Sequence, residues 1–181
     1  VLLTDAFVAN GSGAFKLPDL NDYPDICPPY VPPEMAGSYT PYMRNPDTQV
    51  RYWAIPGQEG YMHILGGLEK DGRTGAISTD PENHDKMCRL RAEKVARIPV
   101  PDVEVQGCVD DAELLIVGFG GTYGHLHSAM DEMVATGKKV ALAHFSYLNP
   151  LPANTAEVLK RYKKVVVAEQ NLGQFAAYLR M

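Results

Sequence analysis

The sequence predicts an α/β fold, a mostly parallel sheet with helices on both faces. Short, continuous apolar runs of strand length recur in the C-terminal half, as in residues 114–118. Segments with apolar residues at helical spacing separate these runs, and glycine or proline marks their ends. Strands that are apolar throughout and alternate with helices are typical of a parallel sheet buried between two helical layers.

Composition limits the number of domains and the classes of partner. The chain has 181 residues, of which 45% are hydrophobic, enough for one compact core with additional segments. Its net charge of −5, without a Lys/Arg cluster, gives no electrostatic basis for binding nucleic acid. No apolar run reaches the roughly 18 residues that a membrane-spanning helix needs. We therefore expect a cytoplasmic protein that has neither nucleic acid nor membrane as a partner.

The cysteines give no pattern of metal ligands. Cys27, Cys88 and Cys108 are far apart, and no Cys-x-x-Cys pair occurs. This spacing predicts neither a zinc ribbon nor iron–sulfur ligands, so we expect no metal site and reduced, structural thiols. The chain starts without Met or a signal-peptide pattern and stops within a helical pattern, which indicates a portion of a longer protein.

The N-terminal part has an unusual composition. Residues 1–17 predict a short apolar strand followed by a glycine-rich turn. Residues 18–56 hold nine of the 14 prolines, and six of the 10 tyrosines lie between Tyr23 and Tyr61. Proline excludes regular helix, while the aromatic content argues against disorder. We therefore predict an extended connector, rich in Pro and Tyr, that lies along the surface of another domain or subunit.

The C-terminal part predicts a regular series of elements. Asp80 and Pro81 mark a helix start, and this helix runs to about residue 98, before two prolines. Residues 103–106 are typical of an edge strand, and the buried strand at 114–118 leads to a helix that Gly137 ends. The elements predicted after it are a strand at 139–145, a short helix capped by Asn154 with Glu157, a strand at 165–169 and a last helix capped by Asn171 with Gln174.

A glycine-rich turn connects the buried strand to its helix. Backbone N–H groups at such a helix start attract anions, so the candidate anion-binding turn is Gly120, Gly121, Thr122 and Tyr123. The spacing fits neither a Walker A loop nor a dinucleotide fingerprint, and the next strand has no acidic residue placed for a ribose. The alternative is a tight turn that lets strand and helix pack closely.

A second glycine-rich loop lies between Pro56 and Gly72. It carries His63, Glu69, Lys70 and Asp71, and loops of this composition are often mobile and functional. The pattern is typical of a plain β-hairpin with a turn at Asp71 and Gly72. The functional alternative is a lid at residues 57–75 near a substrate entrance, where a histidine near Glu69 and Lys70 would hold or steer a carboxylate.

Other patterns for catalysis or metal binding are missing from the sequence. His125 and His127 cannot share a helix face, so we do not expect this pair to bind a metal. There is no nucleophile motif and no pair of carboxylates at a defining spacing. No catalytic residue is therefore predicted in this chain.

Several stretches, taken in order, resemble the alpha subunit of the 2-oxoacid:ferredoxin oxidoreductases, above all the 2-oxoglutarate type. They are residues 1–19, 66–72, 80–84, 147–152 (Tyr-Leu-Asn-Pro-Leu-Pro) and 169–174 (Glu-Gln-Asn-Leu-Gly-Gln). The resemblance implies a remnant of a pyrimidine-binding domain at 1–19. A connector with a loop or hairpin at 20–79 and a domain like the transketolase C-terminal domain at 80–181 follow it.

The resemblance also implies a reaction and its participants. The family oxidises a 2-oxoacid, here 2-oxoglutarate, with coenzyme A as acyl acceptor and ferredoxin as electron acceptor. Thiamine diphosphate, Mg and an iron–sulfur cluster would belong to the complex with the beta subunit. This chain would bind none of them and would be inactive alone.

The domain like the transketolase C-terminal domain is implied to be a scaffold for subunit contacts. The candidate contact residues are Asn149, Pro150, Leu151, Asn171, Gly173 and Gln174. Three alternatives stay open: a subunit specific for a branched-chain 2-oxoacid (2-oxoisovalerate), a stand-alone nucleotide-binding module, and a pure interaction domain.

Overall fold

A computed structural model describes residue 4 and residues 6–181 of the chain. It divides into two compact units, residues 16–99 and residues 100–181, the latter grouped with the segment up to residue 15. Among the described residues, no helix is long and apolar enough to cross a membrane.

The N-terminal segment differs from its predicted strand. Ala6–Asn10 forms helix α1, whose Asn10 side-chain amide donates to the Ala6 carbonyl at 2.9 Å. The strand prediction is therefore wrong for residues 6–10, because the apolar sequence closes a local helical turn. Residues 1–3 and 5, which the prediction also covered, lie outside the described residues.

Four strands form the sheet of the unit at 100–181. They are β1 (Val105–Gly107), β2 (Leu114–Phe119), β3 (Val140–Phe145) and β4 (Val165–Val167), in the order β1-β3-β2-β4. β2 pairs in parallel with both β3 and β4, whereas β1 pairs antiparallel with β3 at one edge. The predictions of a mostly parallel sheet and of an α/β fold are confirmed.

Helices cover both faces of this sheet. Met130 of α3 (Tyr123–Ala135) packs on one face together with Ile116, Val140 and Leu142. Val158 of α4 (Thr155–Arg161) and Phe175 of α5 (Gln174–Arg180) pack on the other face, where they join a cluster that contains Leu115, Val117, Ala141, Ala143 and Phe145. Neighbouring residues of β2 thus contribute to opposite faces, which is why the strand is apolar along its length.

The unit at 16–99 has one long helix, α2 (Pro81–Ala96). It begins as predicted, because the Asp80 carboxylate accepts from the N–H groups of Glu82 (3.4 Å) and Asn83 (3.1 Å), and Pro81 takes the first position. The remainder consists of turns, short 3₁₀ segments and isolated β-bridges. Since α2 belongs to this unit, the two units meet in sequence at residues 99–100. The domain boundary at residue 80 stays a prediction.

One predicted helix cap has a different role. Asn154 lies at the start of α4, but its side chain makes no capping bond. Its Oδ1 accepts from the Val103 N–H and its Nδ2 donates to the Val103 carbonyl, each at 3.0 Å. The predicted capping box is wrong in this respect, because a backbone segment 51 residues earlier engages both ends of the amide.

Candidate functional site

The glycine turn at 118–123 is shaped by close packing. Residues Gly120–Thr122 form a 3₁₀ turn between β2 and α3, and the Thr122 hydroxyl donates to the Phe119 carbonyl at 2.7 Å. A Cβ at Gly118 would overlap the Leu126 side chain and lie 2.9 Å from Thr122 Oγ1. This geometry favours the alternative of a tight turn for strand–helix packing, and anion binding at Gly120–Tyr123 stays a prediction.

A cleft of about 480 Å³ opens where β3 ends, and its described lining contains neither Lys nor Arg. His144 lies in it, with its ring edge-on to Tyr123 at 5.1 Å between centroids. Burial lowers the pKa of His144, and hydrogen bonds with the backbone of Phe119 and Gly120 offset this only in part. With Asp102 and Glu104 also in the lining, the cleft presents carboxylates and a neutral imidazole. This charge balance disfavours an anionic ligand.

The loop that is the candidate substrate lid is held together by Lys70. This residue is only 3% exposed, and its ammonium group donates to the carbonyls of Gly66 (2.6 Å), Gly67 (3.0 Å) and Leu68. Gly66 and Gly67 both have positive φ, which lets the loop turn these carbonyls toward one ammonium group. In this arrangement the Lys70 ammonium group faces the carbonyls of its own loop. Its role toward a substrate carboxylate stays a prediction.

His63 and Asp71 also bond within their own segment. His63 Nδ1 lies 2.8 Å from the Tyr61 carbonyl, so this nitrogen carries the donated proton. Asp71 Oδ1 accepts from the N–H groups of Arg73 (3.0 Å) and Thr74 (2.6 Å) and from the Thr74 hydroxyl (2.8 Å). These bonds lower the pKa of the Asp71 carboxyl. An antiparallel bridge between Lys70 and Ile77 closes the turn, which fits the hairpin alternative.

Glu69 bonds to a cluster of side chains on α2 that was not predicted from the sequence. His84 Nδ1 lies 3.1 Å from Glu69 Oε1, and His84 Nε2 lies 3.7 Å from Cys88 Sγ. Arg91 connects the two ends, donating to Cys88 Sγ at 3.2 Å and to Glu69 Oε2 at 3.0 Å. The sequence shows that His84, Cys88 and Arg91 have helical spacing. It does not show that Glu69 joins them, because Glu69 belongs to a loop 15 residues before His84.

The electrostatics of this cluster keep both Glu69 and Arg91 charged. Partial burial alone would raise the pKa of Glu69, but hydrogen bonds from Arg91 and His84 lower it overall. The pKa of Arg91 is raised, first by its hydrogen bond to Glu69 and also by Cys88. A thiol, an imidazole, a carboxylate and a guanidinium group therefore form one connected set.

Glu69, His84 and Cys88 are also residue types that bind metal ions, with ligand atoms within 4.8 Å of one another. Arg91 opposes a cation here, because its guanidinium group already donates to both the carboxylate and the sulfur. The group offers one thiol, whereas iron–sulfur clusters are held by about four cysteine thiolates. These residues therefore do not fit a cluster of that kind.

The two loops predicted to contact other subunits differ in what their side chains do. Asn149 is exposed and precedes Pro150 in a cis peptide bond, while Leu151 packs against the apolar core of the sheet unit. Asn171 Oδ1 accepts from the N–H groups of Gly173 (2.8 Å) and Gln174 (3.2 Å). Its side chain therefore supports the start of α5.

Glu169 and Leu172 complete this second loop. The Glu169 carboxylate accepts from the N–H groups of Phe175 at 2.9 Å and Ala176 at 3.0 Å, in the first turn of α5. Leu172, which follows Asn171, is 98% exposed. The loop thus fixes the helix with its polar side chains and presents an apolar one to solvent.

The relatives found by comparison with known proteins agree with one another in the kind of enzyme they belong to. Residues 112–180 match the family model of pyruvate:ferredoxin oxidoreductase core domain II. The 2-oxoglutarate oxidoreductase subunit KorA of Mycobacterium tuberculosis is 47% identical over 99% of this chain and 27% of its own length. The 2-oxoglutarate synthase subunit KorA of Methanocaldococcus jannaschii is 33% identical over 64% of this chain and 31% of its own length.

A solved structure agrees with these sequence relatives. The 2-oxoglutarate:ferredoxin oxidoreductase of Magnetococcus marinus, with 2-oxoglutarate, coenzyme A and succinyl-CoA bound, matches with a TM-score of 0.78 at 32% identity. The match covers 90% of this chain and 28% of that chain. The present chain thus spans less than a third of the length of these three relatives.

Proposed function

Because the chain belongs to the 2-oxoacid:ferredoxin oxidoreductase family, we propose that it is the C-terminal portion of an alpha subunit that acts on 2-oxoglutarate. In this proposal the assembled enzyme oxidises 2-oxoglutarate onto coenzyme A and passes electrons to ferredoxin. The supporting observation is the 47% identity to a 2-oxoglutarate oxidoreductase subunit along nearly the entire chain. Thiamine diphosphate, Mg and the iron–sulfur cluster belong to the remainder of the complex, including the beta subunit.

The role of this portion in the complex is to shape and join subunits. The sheet unit provides a rigid base, and its loops at 149–151 and 171–174 carry the contacts. Of these loops, Leu172 has the side chain best suited to a partner, because an almost fully exposed leucine gains from being covered. Asn171 supports it indirectly by fixing the start of α5.

The activity is tested by producing the complete alpha subunit with its beta subunit and following viologen reduction. We expect reduction that depends on both 2-oxoglutarate and coenzyme A, and slower rates with 2-oxoisovalerate and pyruvate. Preference for 2-oxoisovalerate would favour the branched-chain alternative. Failure with every 2-oxoacid, in a complex that holds its cofactors, would contradict the oxidoreductase proposal.

The contact surface is tested in the same complex with Leu172→Asp. We expect this variant to weaken co-purification of the beta subunit while the alpha subunit keeps its thermal unfolding midpoint. Lys160→Asp, on the exposed side of α4, is the matched control and should bind normally. Normal assembly of Leu172→Asp would remove this loop from the proposed interface.

Inactivity of the isolated portion is part of the same proposal. Calorimetry of the chain alone should detect no binding of thiamine diphosphate, NAD, coenzyme A or ADP. Tight, saturable binding of thiamine diphosphate would contradict the assignment of that cofactor to other parts of the complex. Saturable binding of NAD, coenzyme A or ADP would instead support the nucleotide-binding alternative at residues 118–124.

The substrate-lid role of residues 57–75 stays a proposal, and the contacts of Lys70 alter how it should be tested. Removing Lys70 would release the carbonyls of its loop, so a changed substrate affinity would not separate gating from unfolding. His63→Ala removes one bond to the Tyr61 carbonyl and is the cleaner variant. An unchanged KM for 2-oxoglutarate in folded His63→Ala would exclude His63 from substrate binding.

A further inference from the structure

We propose that Cys88 is a nucleophilic thiol that reacts with small soft electrophiles, in particular with the disulfide bond of a low-molecular-weight thiol. His84, Glu69 and Arg91 form the group that activates it. This reactivity does not depend on the oxidoreductase function proposed above, because the reactivity requires only side chains of the unit at 16–99.

The first step is the placement of the reactive groups on one helix. His84, Cys88 and Arg91 stand at positions i, i+4 and i+7 of α2, so they share one face. Cys88 Sγ therefore has two nitrogen neighbours, His84 Nε2 at 3.7 Å and an Arg91 guanidinium nitrogen at 3.2 Å. A guanidinium donor stabilises the negative charge that develops on a sulfur, and an imidazole nitrogen can accept the proton of a thiol, so both neighbours favour nucleophilic attack by this sulfur.

Glu69 sets the orientation of the imidazole. Its carboxylate lies 3.1 Å from His84 Nδ1, and because Glu69 is ionised, Nδ1 carries the proton. The tautomer assigned in this way leaves the lone pair of Nε2 toward Cys88. The arrangement is that of a nucleophile, a base and a third group that orients the base. Glu69 also accepts from Arg91, so one carboxylate positions both activating side chains.

The thiol is accessible to a reagent. Cys88 is exposed, and the His84 side chain is 66% exposed, whereas the Glu69 side chain beneath them is 18% exposed. Cys27 is exposed as well, but among the described residues no hydrogen-bond or ion-pair partner of its thiol is found. The chain thus contains its own control: two exposed cysteines in one unit, of which one has activating neighbours.

The reaction with a disulfide is balanced without any further oxidant. His84 Nε2 takes the proton of Cys88, and the thiolate attacks one sulfur of the disulfide R–S–S–R. A new S–S bond forms to Cys88 while the old S–S bond breaks, and the leaving R–S⁻ takes the proton back from His84. The products are a mixed disulfide at Cys88 and one free thiol R–SH, so the incoming disulfide is the species reduced.

The test compares the cysteines of the intact protein within one sample. The protein is treated for increasing times with limiting iodoacetamide, quenched and digested, and the alkylated fraction of each cysteine peptide is read by mass spectrometry. We expect Cys88 to react at least about tenfold faster than Cys27 in the native protein. In guanidinium chloride, where the cluster is lost, the two rates should agree within about threefold. Oxidised glutathione should give a mixed disulfide at Cys88 first.

Variants identify the cause of the reactivity. His84→Asn and Arg91→Gln should each lower the Cys88:Cys27 rate ratio several-fold, and Arg91→Lys should retain part of it because it keeps a positive charge. The matched controls are Asp85→Asn and Arg89→Gln, which break an exposed ion pair on the same helix and should leave the ratio unchanged. Circular dichroism verifies that α2 is intact in every variant.

Two results would overturn the proposal. One is a native rate ratio near one, which would make Cys88 an ordinary exposed thiol. The other is a high ratio that both His84→Asn and Arg91→Gln leave unchanged, which would assign the reactivity to something other than this cluster. Neither result depends on whether the enzyme complex is active.

Discussion

The two compact units of this chain are stabilised by different interactions. In the unit at 100–181, thirteen side chains form a buried apolar core on both faces of a sheet, whereas Met87 is the one buried hydrophobic residue described in the unit at 16–99. The latter is fixed instead by charged side chains that bond to backbone carbonyls. The comparison indicates that volume changes should damage the first unit most, and loss of single polar groups the second.

In the unit at 16–99, several charged side chains each donate two or more hydrogen bonds to backbone carbonyls, and we call these arrangements polar clamps. Arg51 donates to the Pro41 carbonyl through two nitrogens at 3.1 and 2.7 Å and stacks over the Tyr42 ring at 3.9 Å. Arg97 donates to the carbonyls of Pro46 and Asp47 at 2.7 and 2.6 Å. Because proline-rich segments lack backbone donors, side-chain donors take over the role of a hydrogen-bonded ladder.

The largest effect is expected from a cavity in the sheet unit. Leu115→Ala, at a fully buried position of β2, should lower the free energy of unfolding by about 2–5 kcal/mol. Denaturant unfolding followed by circular dichroism gives this value. Leu172→Ala is the control, and its effect should stay within about 0.5 kcal/mol, because that side chain is exposed. Equal losses in the two variants would break the distinction between core and surface.

A smaller effect should follow from excess volume at the glycine turn. Gly118→Ala introduces a methyl group into the space of the Leu126 side chain, with a cost of about 1–3 kcal/mol. Leu126→Ala should relieve part of this cost in the double variant, and unfolding of all four proteins measures the coupling. Strict additivity would mean that Gly118 is required for another reason.

Loss of the Lys70 clamp should damage only the unit at 16–99. Lys70→Met leaves the carbonyls of residues 66–68 without their common donor, which should cost about 1–3 kcal/mol locally. Hydrogen exchange should accelerate around residues 66–78 and stay unchanged in β2 and β3. Lys94→Met, an exposed change on α2, serves as control. Faster exchange in the sheet as well would show that the two units unfold together.

The smallest effect concerns pH and His144. Burial holds the folded-state pKa of His144 below its ordinary value of 6.5, so the unfolded chain binds this proton more readily. The contribution of neutral His144 to the stability of the fold is therefore complete above pH 6.5, and it is lost as pH falls through the folded-state pKa. As pH falls from 7.5 to 5.5, the unfolding free energy of the wild type should therefore decrease relative to that of His144→Gln. A difference that is constant with pH would contradict this assignment.

The comparison of the two units also explains which predictions succeeded. The strands of the sheet were predictable because burial on both faces demands continuous apolar residues, and β2 and β3 have them. The start of α2 was predictable because Asp80 and Pro81 act within one turn. The N-terminal strand was mispredicted, since a run of four apolar residues followed by Asn10 suits a helical turn equally well.

The candidate sites were predictable only in part. The glycines at 118–121 and the loop at 66–72 were recognisable as special segments, but not the contacts that occupy them. Lys70 looked like a free cation in the sequence, whereas its ammonium group is buried among carbonyls of its own loop. The direction in which a side chain points depends on the backbone path around it, which residue types do not specify.

The sequence by itself determined the α/β class, most element positions and the family resemblance, since these depend on local spacing and on order along the chain. The tertiary structure decided the pairing of Asn154 with Val103 and the contact of Glu69 with His84 and Arg91. These contacts join segments separated by between 15 and 51 residues. Their partners are brought together only when burial of apolar surface and closure of polar clamps fix the path of the chain.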